Sequence, residues 1–181
     1  DSIRTLDVSQ NVLLEYLDCS DNRLSGLDVT QNTQLTNLYC FFNQLTALDV
    51  TKNTALTELS CSSNQFSSLD LSKNTELLIL NCKDNKLTSL DISKNTKLKT
   101  LYCLGNNFST QALDDIYCAL PVRQVSDAAR IYPLKDSSDP NHATIIATNK
   151  QNATDKNWKV QYYEVNADIP ATTGKHKCSA T

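Results

Sequence analysis

Apolar and polar positions repeat with a period of 21 residues along the first 110 residues of the chain. Every period opens with Leu-Asp, an aliphatic residue, Ser or Thr, any residue and Asn, and a cysteine follows thirteen residues after the opening leucine. The opening residues are Leu6, Leu27, Leu48, Leu69 and Leu90. A fixed period of this length predicts a solenoid, in which each repeat forms one coil and stacks on its neighbours.

Inside each period, a short alternation of apolar and polar residues predicts a β-strand. Leu17 and Cys19 are expected on the inner face and the residues beside them on the outer face, since side chains alternate along a strand. The same pattern predicts strands near residues 16–19, 37–40, 58–61, 79–82 and 100–103. One repeat buries roughly five or six apolar side chains at about 1.5 to 3 kcal/mol each, whereas ordering it costs on the order of 30 kcal/mol. The repeats are therefore expected to be stable only when stacked, with their strands in one parallel sheet.

The core of each repeat, L-x-x-L-x-C-x-x-N-x-[LF], resembles the leucine-rich repeat consensus with cysteine in its third apolar position. In the first repeat this core comprises Leu14, Leu17, Cys19, Asn22 and Leu24. The short form of the repeat is similar to that of internalin-like surface and secreted proteins of gut-dwelling Gram-negative bacteria. The resemblance implies an α/β solenoid, right-handed, with the parallel sheet on its concave face. It also implies an extracytoplasmic location, at the cell surface or secreted.

Two regions are expected within one continuous solenoid. Residues 1–110 hold the leucine-rich repeats, and residues 111–181 form helix-bearing C-terminal coils and a cap. The chain begins inside a repeat, with Ile3 in the position that Leu24 takes one coil later. The N-terminal end is therefore expected to be truncated or processed.

The C-terminal region departs from the 21-residue period. Apolar residues at helical spacing predict a helix near 111–119 that Pro121 ends, and a second helix near 141–150. Strand-like stretches surround Ile131 and Val160, at a spacing of about 30 residues from the last repeat. These stretches are expected to extend the same sheet by two enlarged coils, because a solenoid needs a cap over its last core layer.

The chain contains seven cysteines, of which five follow the repeat. Neighbouring strands place them directly above one another with parallel side chains, which gives poor disulfide geometry. We therefore expect a column of reduced, buried cysteines, in preference to a thiolate metal site. The column consists of Cys19, Cys40, Cys61, Cys82 and Cys103. Cys118 and Cys178 lie outside the period, and the sequence leaves open whether they pair.

An asparagine follows each predicted strand where the chain must turn. Its amide can both donate to and accept from the backbone of neighbouring coils, so a structural ladder is expected rather than a glycan or catalytic site. The residues concerned are Asn22, Asn43, Asn64, Asn85 and Asn106.

An aspartate follows the opening leucine of every repeat. A carboxylate column suggests calcium, but the sequence lacks the glycine-rich pattern of calcium-binding β-helices. Charge balance by nearby Lys52, Lys73 and Lys94 is the preferred interpretation. The aspartates are Asp7, Asp28, Asp49, Asp70 and Asp91.

Composition excludes several classes of function. The 181 residues are 40% hydrophobic with a net charge of −3, enough for one domain, and no apolar run approaches a transmembrane span. Basic residues are scattered, so no nucleic-acid partner is expected. Only His142 and His176 and three glycines are present, and no nucleophile has a convincing base. We therefore expect a non-enzymatic protein without cofactor or resident metal, and a monomer.

The residues that point outward from the strands are the candidate binding surface. Several are aromatic or aliphatic although the hydrophobic core does not require apolar residues at these positions. Exposed apolar clusters tend to mark interaction surfaces. The alternative for Phe41 and Phe42 is that they pack on each other or on a missing N-terminal coil. The predicted concave-face binding residues are Tyr16, Asp18, Tyr39, Phe41, Phe42, Glu58, Ile79, Asn81, Lys83, Tyr102 and Leu104.

Two functions follow from this surface. The first is a cell-surface or secreted recognition module, lipid-anchored or free, that binds a protein or glycan on its concave face. The second is a structural spacer or stalk that displays another domain. A spacer is expected to have a uniformly polar concave face, and the predicted face here is not uniformly polar.

Overall fold

The computed structural model describes residues 2–178. Each repeat contributes one three-residue strand, and the C-terminal region adds two strands and three short α-helices. The five repeat strands are β1 Tyr16–Asp18, β2 Asn37–Tyr39, β3 Glu58–Ser60, β4 Ile79–Asn81 and β5 Thr100–Tyr102. They are followed by α1 Thr110–Ala119, a 3₁₀ turn Val125–Asp127, β6 Arg130–Leu134, α2 His142–Ile146, α3 Gln151–Thr154 and β7 Lys159–Tyr162.

All seven strands form one parallel sheet in sequence order, which confirms the predicted α/β solenoid. Leu17 pairs with Leu38, and the inner leucines of the later repeats continue this register. Each strand is one residue shorter than expected, because it ends just before the cysteine. The cysteine N–H nevertheless continues the ladder, as Cys40 shows by donating to the carbonyl of Ser60 at 2.9 Å.

The core runs the length of the stack. The inner leucines of β2 to β5 are fully buried, and the cysteine column from Cys40 to Cys103 is at most 1% exposed. Cys19 in the first coil is 4% exposed. All five cysteines of the column are free thiols, as the spacing predicts.

A second column of asparagines, whose role the sequence did not reveal, also joins the coils. The Nδ2 of Asn53 donates to the carbonyls of Val29 at 2.9 Å and Asn32 at 2.8 Å, both in the preceding coil. Equivalent bonds recur in every later repeat, and these side chains are at most 1% exposed. The column consists of Asn32, Asn53, Asn74 and Asn95.

The first helix forms where the sequence places it. The Oγ of Ser109 caps α1 by accepting the N–H of Ala112 at 3.1 Å, and Pro121 follows the helix end. The single helix predicted near 141–150 is wrong, because α2 and α3 are separate. The N–H of Asn149 donates to the Asp114 carboxylate of α1 at 2.8 Å instead of to a helical carbonyl, and this tertiary bond interrupts the helix.

The last strand is covered by the chain that follows it. The N–H of Tyr162 donates to the carbonyl of Ala167, and the N–H of Ile169 donates to that of Val160, both at 2.9 Å. A disulfide joins Cys118 to Cys178, 60 residues apart, and ties the chain end to α1. None of the helices in residues 2–178 is long and apolar enough to cross a membrane.

Candidate functional site

The outer surface of the sheet is the candidate site, and we call it the strand face. It consists of three rows, formed by the residue before each inner leucine, the residue after it, and the residue after each cysteine. Strand register aligns the first two rows across neighbouring coils. The first row is Tyr16, Asn37, Glu58, Ile79, Thr100, Arg130 and Lys159; the second is Asp18, Tyr39, Ser60, Asn81, Tyr102 and Tyr132; the third is Ser20, Phe41, Ser62, Lys83 and Leu104.

Four aromatic residues gather at the β1–β2 end of the strand face, and we call them the N-terminal aromatic cluster. The rings of Tyr16 and Tyr39 lie 5.4 Å apart, and those of Phe41 and Phe42 meet edge to face at 5.8 Å. Tyr16 is 56% exposed and Phe42 is 55% exposed, whereas Tyr39 and Phe41 are half-buried. The two phenylalanines therefore do pack on each other, but this contact leaves most of Phe42 in solvent.

Phe42 also has an unfavourable backbone conformation. Its φ is +50°, in the left-handed region, where a bulky side chain is strained. The equivalent residues of the other coils are also left-handed, but they are residues that tolerate this conformation better or lack bulk: Asp21, Ser63, Asp84 and Gly105. A strained and exposed phenylalanine stabilises the fold little, so its presence points to a role outside folding.

Three tyrosines form a second group, the C-terminal aromatic cluster. Tyr102 and Tyr132 stack with ring centres 4.8 Å apart and planes 3° from parallel, and Tyr163 stands perpendicular to both. The Nζ of Lys83 lies 4.5 Å from the centre of the Tyr163 ring. The sequence analysis missed Tyr132 and Tyr163. The 30-residue offset between Tyr102 and Tyr132 was a usable signal for the former, whereas Tyr163 lies beyond the end of β7.

Small and polar residues separate the two clusters. Ser60 and Ser62 are buried, at 7% and 3% exposure, so the strand face is recessed between the two aromatic clusters. The Nδ2 of Asn37 lies 3.5 Å from the Glu58 carboxylate and 3.4 Å from the Tyr39 hydroxyl. Partial burial, together with the nearby Glu58 carboxylate, raises the pKa of the Tyr39 hydroxyl. A half-buried Ile79 and Asn81 continue this central region on β4.

One predicted binding residue is placed differently from the expectation. Leu104 is only 5% exposed, so its assignment to the exposed binding surface is wrong. Leu104 lies with Tyr163 and Glu164 in the lining of a surface pocket of about 240 Å³. Asp18, in contrast, is exposed, and Glu58, Lys83 and Tyr102 are half-buried.

The asparagines after the strands bond from coil to coil. The Oδ1 of Asn43 accepts the N–H of Leu24 at 2.9 Å, and its Nδ2 donates to the Cys19 carbonyl at 3.0 Å, both in the preceding coil. Asn64, Asn85 and Asn106 repeat this pattern, and Asn22 bonds in the same way to Ile3. With both ends of each amide bonded to backbone, these side chains act as connectors between coils.

The expectation that lysines balance the aspartate column holds in part, because Lys52, Lys73 and Lys94 each lower the pKa of the neighbouring aspartate but contribute less than its hydrogen bonds. Among residues 2–178, Lys52, Lys73 and Lys94 form no ion pair within 4.0 Å. Each aspartate instead accepts the N–H of the residue two positions later, as Asp49 does from Thr51 at 2.9 Å. The Thr51 hydroxyl, which donates to the same carboxylate at 2.7 Å, lowers the pKa of Asp49 most, and the backbone bond lowers it further. The described residues contain no metal-binding group of three or more His, Cys, Asp or Glu.

Comparisons with known proteins show which family profile and which solved structures this chain resembles. The Leucine Rich Repeat family profile matches residues 13–31. A comparison with curated proteins finds no match. Among solved structures, the functional domain of InlJ from Listeria monocytogenes, which includes a cysteine ladder, is 42% identical over 59% of this chain, with a TM-score of 0.58. A leucine-rich repeat protein from Leptospira interrogans is 26% identical over 66% of this chain, with a TM-score of 0.64.

The internalin InlF from Listeria monocytogenes shares the fold, at 20% identity over 66% of this chain and a TM-score of 0.60. This chain spans 24% of the InlJ structure, 33% of the Leptospira structure and 37% of the InlF structure. The likeness therefore concerns only a part of each of these proteins.

Proposed function

We propose that this chain, an internalin-like leucine-rich repeat protein, is a non-enzymatic cell-surface or secreted recognition module whose strand face binds a protein partner. The observation that carries the proposal is Phe42, which combines a left-handed backbone with a side chain 55% exposed. Strained backbone positions persist at functional sites, where contacts to a partner make use of them. Aromatic residues of this kind are also frequent anchors in protein interfaces.

The arrangement of the strand face supports a protein partner over a spacer role. The two aromatic clusters lie on either side of a recessed, polar central region. A partner can therefore place apolar side chains on both clusters and form hydrogen bonds with the central region. Interfaces typically combine apolar anchors with a polar surround in this way. A spacer gains nothing from the exposure of Tyr16 and Phe42.

The disulfide supports the extracytoplasmic location. Disulfides persist in oxidising compartments and are rare in the cytosol. Cys118 and Cys178 are paired, while the five cysteines of the column are buried and reduced. This division fits a chain that folds in an oxidising compartment, where burial protects the column from oxidation.

The test is a binding survey with matched variants. The immobilised chain is exposed to a panel of purified extracellular proteins and glycans, and each interaction is repeated with a Phe41→Ser, Phe42→Ser double variant. A matched control carries Val122→Ser and Val125→Ser, since these valines are 68% and 80% exposed but lie between α1 and β6, outside the strand face.

We expect a protein ligand whose affinity falls at least tenfold in the phenylalanine variant, equivalent to about 1.4 kcal/mol, and stays unchanged in the valine variant. Ligands that bind both variants equally well would contradict the proposed site. A glycan that shows the same dependence on the phenylalanines would replace the protein as the partner class. Absence of binding to every member of the panel would favour the spacer function.

A further inference from the structure

The charged residues of the strand face are divided between its two ends. In the three rows of β1 to β3 the charged residues are both acidic, and in those of β4 to β7 all are basic. The acidic residues are Asp18 and Glu58, and the basic residues are Lys83, Arg130 and Lys159. The formal charge of the rows thus changes from −2 to +3 along the sheet.

None of these five residues has an ion-pair partner among residues 2–178. Other charges in the same region are paired: Lys99 lies 2.9 Å from Asp127, and Lys135 lies 3.2 Å from Glu164. Asp18 accepts only a backbone N–H, from Ser20 at 3.0 Å. These five charges are therefore not held in ion pairs by the described residues of the protein.

One pair of like charges is placed directly side by side. Arg130 on β6 and Lys159 on β7 are register partners, and both are exposed. Like charges opposite one another on neighbouring strands destabilise a sheet. Folding alone therefore does not favour this pair, but a ligand that carries negative charge does.

The turns beyond the third row do not cancel this gradient. Asp21 follows β1 and takes the formal charge of the first half from −2 to −3. In the second half, Asp84, Lys135, Asp139 and Glu164 line the pocket beside Lys83 and take the charge from +3 to +1. Lys83 itself is held over the ring of Tyr163 and donates to its hydroxyl at 3.4 Å, which keeps the cation next to the C-terminal aromatic cluster.

We propose that the strand face binds a dipolar partner segment in one fixed orientation, with its cationic end over β1 to β3 and its anionic end over β4 to β7. This inference rests on the proposed function and adds the chemistry of the partner. Each aromatic cluster supplies apolar contact at one end, and the charges decide which end of the partner lies on which cluster. Complementary charges of this kind fix register and steer association more than they add affinity.

The dimensions of the sheet set the length of the segment. Six strand spacings of about 4.8 Å separate β1 from β7, or about 29 Å. An extended chain that rises about 3.3 Å per residue covers this distance with roughly nine residues.

The probe for the test is a synthetic peptide of about twelve residues, long enough to span the sheet at the same rise. It carries lysines at one end, glutamates at the other and Ser-Tyr-Tyr-Ser between them. A nitroxide spin label is attached to either end, and loss of backbone amide NMR signal is measured in the 20.1 kDa protein. We expect a label at the lysine end to broaden amides of β1 to β3, and one at the glutamate end to broaden those of β4 to β7.

Two controls accompany this measurement. A peptide of the same composition with alternating lysine and glutamate is expected to show no end preference. A protein variant with Asp18→Lys, Glu58→Lys, Lys83→Glu, Arg130→Glu and Lys159→Glu is expected to reverse the orientation. If that variant does not fold, the milder Arg130→Gln, Lys159→Gln pair is expected to abolish broadening from the glutamate end alone.

Equal broadening across the sheet, broadening confined to the aspartate column, or no binding of the peptide at millimolar concentration would each overturn the inference. Loss of the orientation while a protein ligand still depends on Phe42 would refute the charge assignment and leave the proposed function standing. Loss of both would refute the proposed function as well.

Discussion

Asn64 donates from its Nδ2 to the carbonyl of Cys40, 24 residues earlier in the chain, at 2.9 Å. The same side chain accepts the N–H of Leu45 at 2.9 Å and donates to two carbonyls of its own coil. One buried amide thus satisfies backbone groups of two coils. This geometry explains why an asparagine, and not merely a polar residue, recurs at this position.

Replacement of Asn64 by alanine is therefore expected to destabilise the protein strongly. The change leaves the Leu45 N–H without a partner in the core, and each buried unpaired group costs about 1 to 3 kcal/mol, so a loss of about 3 kcal/mol is expected. Urea unfolding followed by circular dichroism measures it. Asn22→Ala is the control, because this residue of the first coil is only half-buried. Equal losses in the two variants would show that the ladder does not depend on burial.

The strained backbone at Phe42 makes a second prediction. Phe42→Asn is expected to maintain stability or raise it by up to about 1 kcal/mol, since asparagine tolerates left-handed φ values that strain phenylalanine. The melting temperature measures the change. Ser63→Asn, at the equivalent position with φ of +52°, is the matched control and is expected to behave alike. A marked fall in melting temperature for Phe42→Asn alone would mean that the ring stabilises the fold, and would weaken its assignment as a binding anchor.

The repeat region could be predicted in detail from the sequence because the residues that determine its structure lie close together in each repeat and recur with a fixed period. A leucine at every inner position and a cysteine two residues later determine which side chains enter the core, and stacking then determines the sheet. Leu17 and its equivalents therefore needed no long-range information. The ladder position of Asn64 followed from the same periodicity.

The C-terminal part depends on contacts between residues far apart in the chain. The break between α2 and α3 depends on a bond from Asn149 to Asp114, 35 residues away. Tyr163 follows β7 directly and donates its N–H to the carbonyl of Leu134, and its ring lies against Tyr102, 61 residues earlier in the chain. No periodic pattern encodes these contacts, so the sequence analysis could not place them.

The cysteine column makes a third prediction, which separates two members of nearly identical burial. The thiol of Cys82 donates to the carbonyl of Tyr102, with Sγ and oxygen 3.5 Å apart, whereas the structure gives the thiol of Cys61 no such bond. Cys61→Ser is therefore expected to cost about 1 to 3 kcal/mol through an unpaired buried hydroxyl. Cys82→Ser is expected to cost less, because its hydroxyl has a carbonyl within reach. Chemical denaturation of both variants, with Cys61→Ala as the apolar reference, measures the difference, and a larger loss for Cys82→Ser would contradict the assignment.

The state of the cysteines makes the last prediction, which concerns pH. Burial raises the pKa of the Cys103 thiol to about 12, from an ordinary value of 9.0. A thiol whose pKa is higher in the folded state contributes stability that is fully present below the unfolded value and is lost as the pH rises towards the folded value. Stability is therefore expected to fall between about pH 9 and pH 12. The slope of the unfolding free energy against pH should be smaller in Cys103→Ala by the equivalent of one proton. Equal slopes in the two proteins would contradict a buried, protonated thiol.

Under native conditions at pH 8, a thiol reagent is expected to leave the cysteine column unmodified, because the reactive thiolate is absent there. In denaturant without reductant five thiols should react, and after reduction seven, since Cys118 and Cys178 form the disulfide.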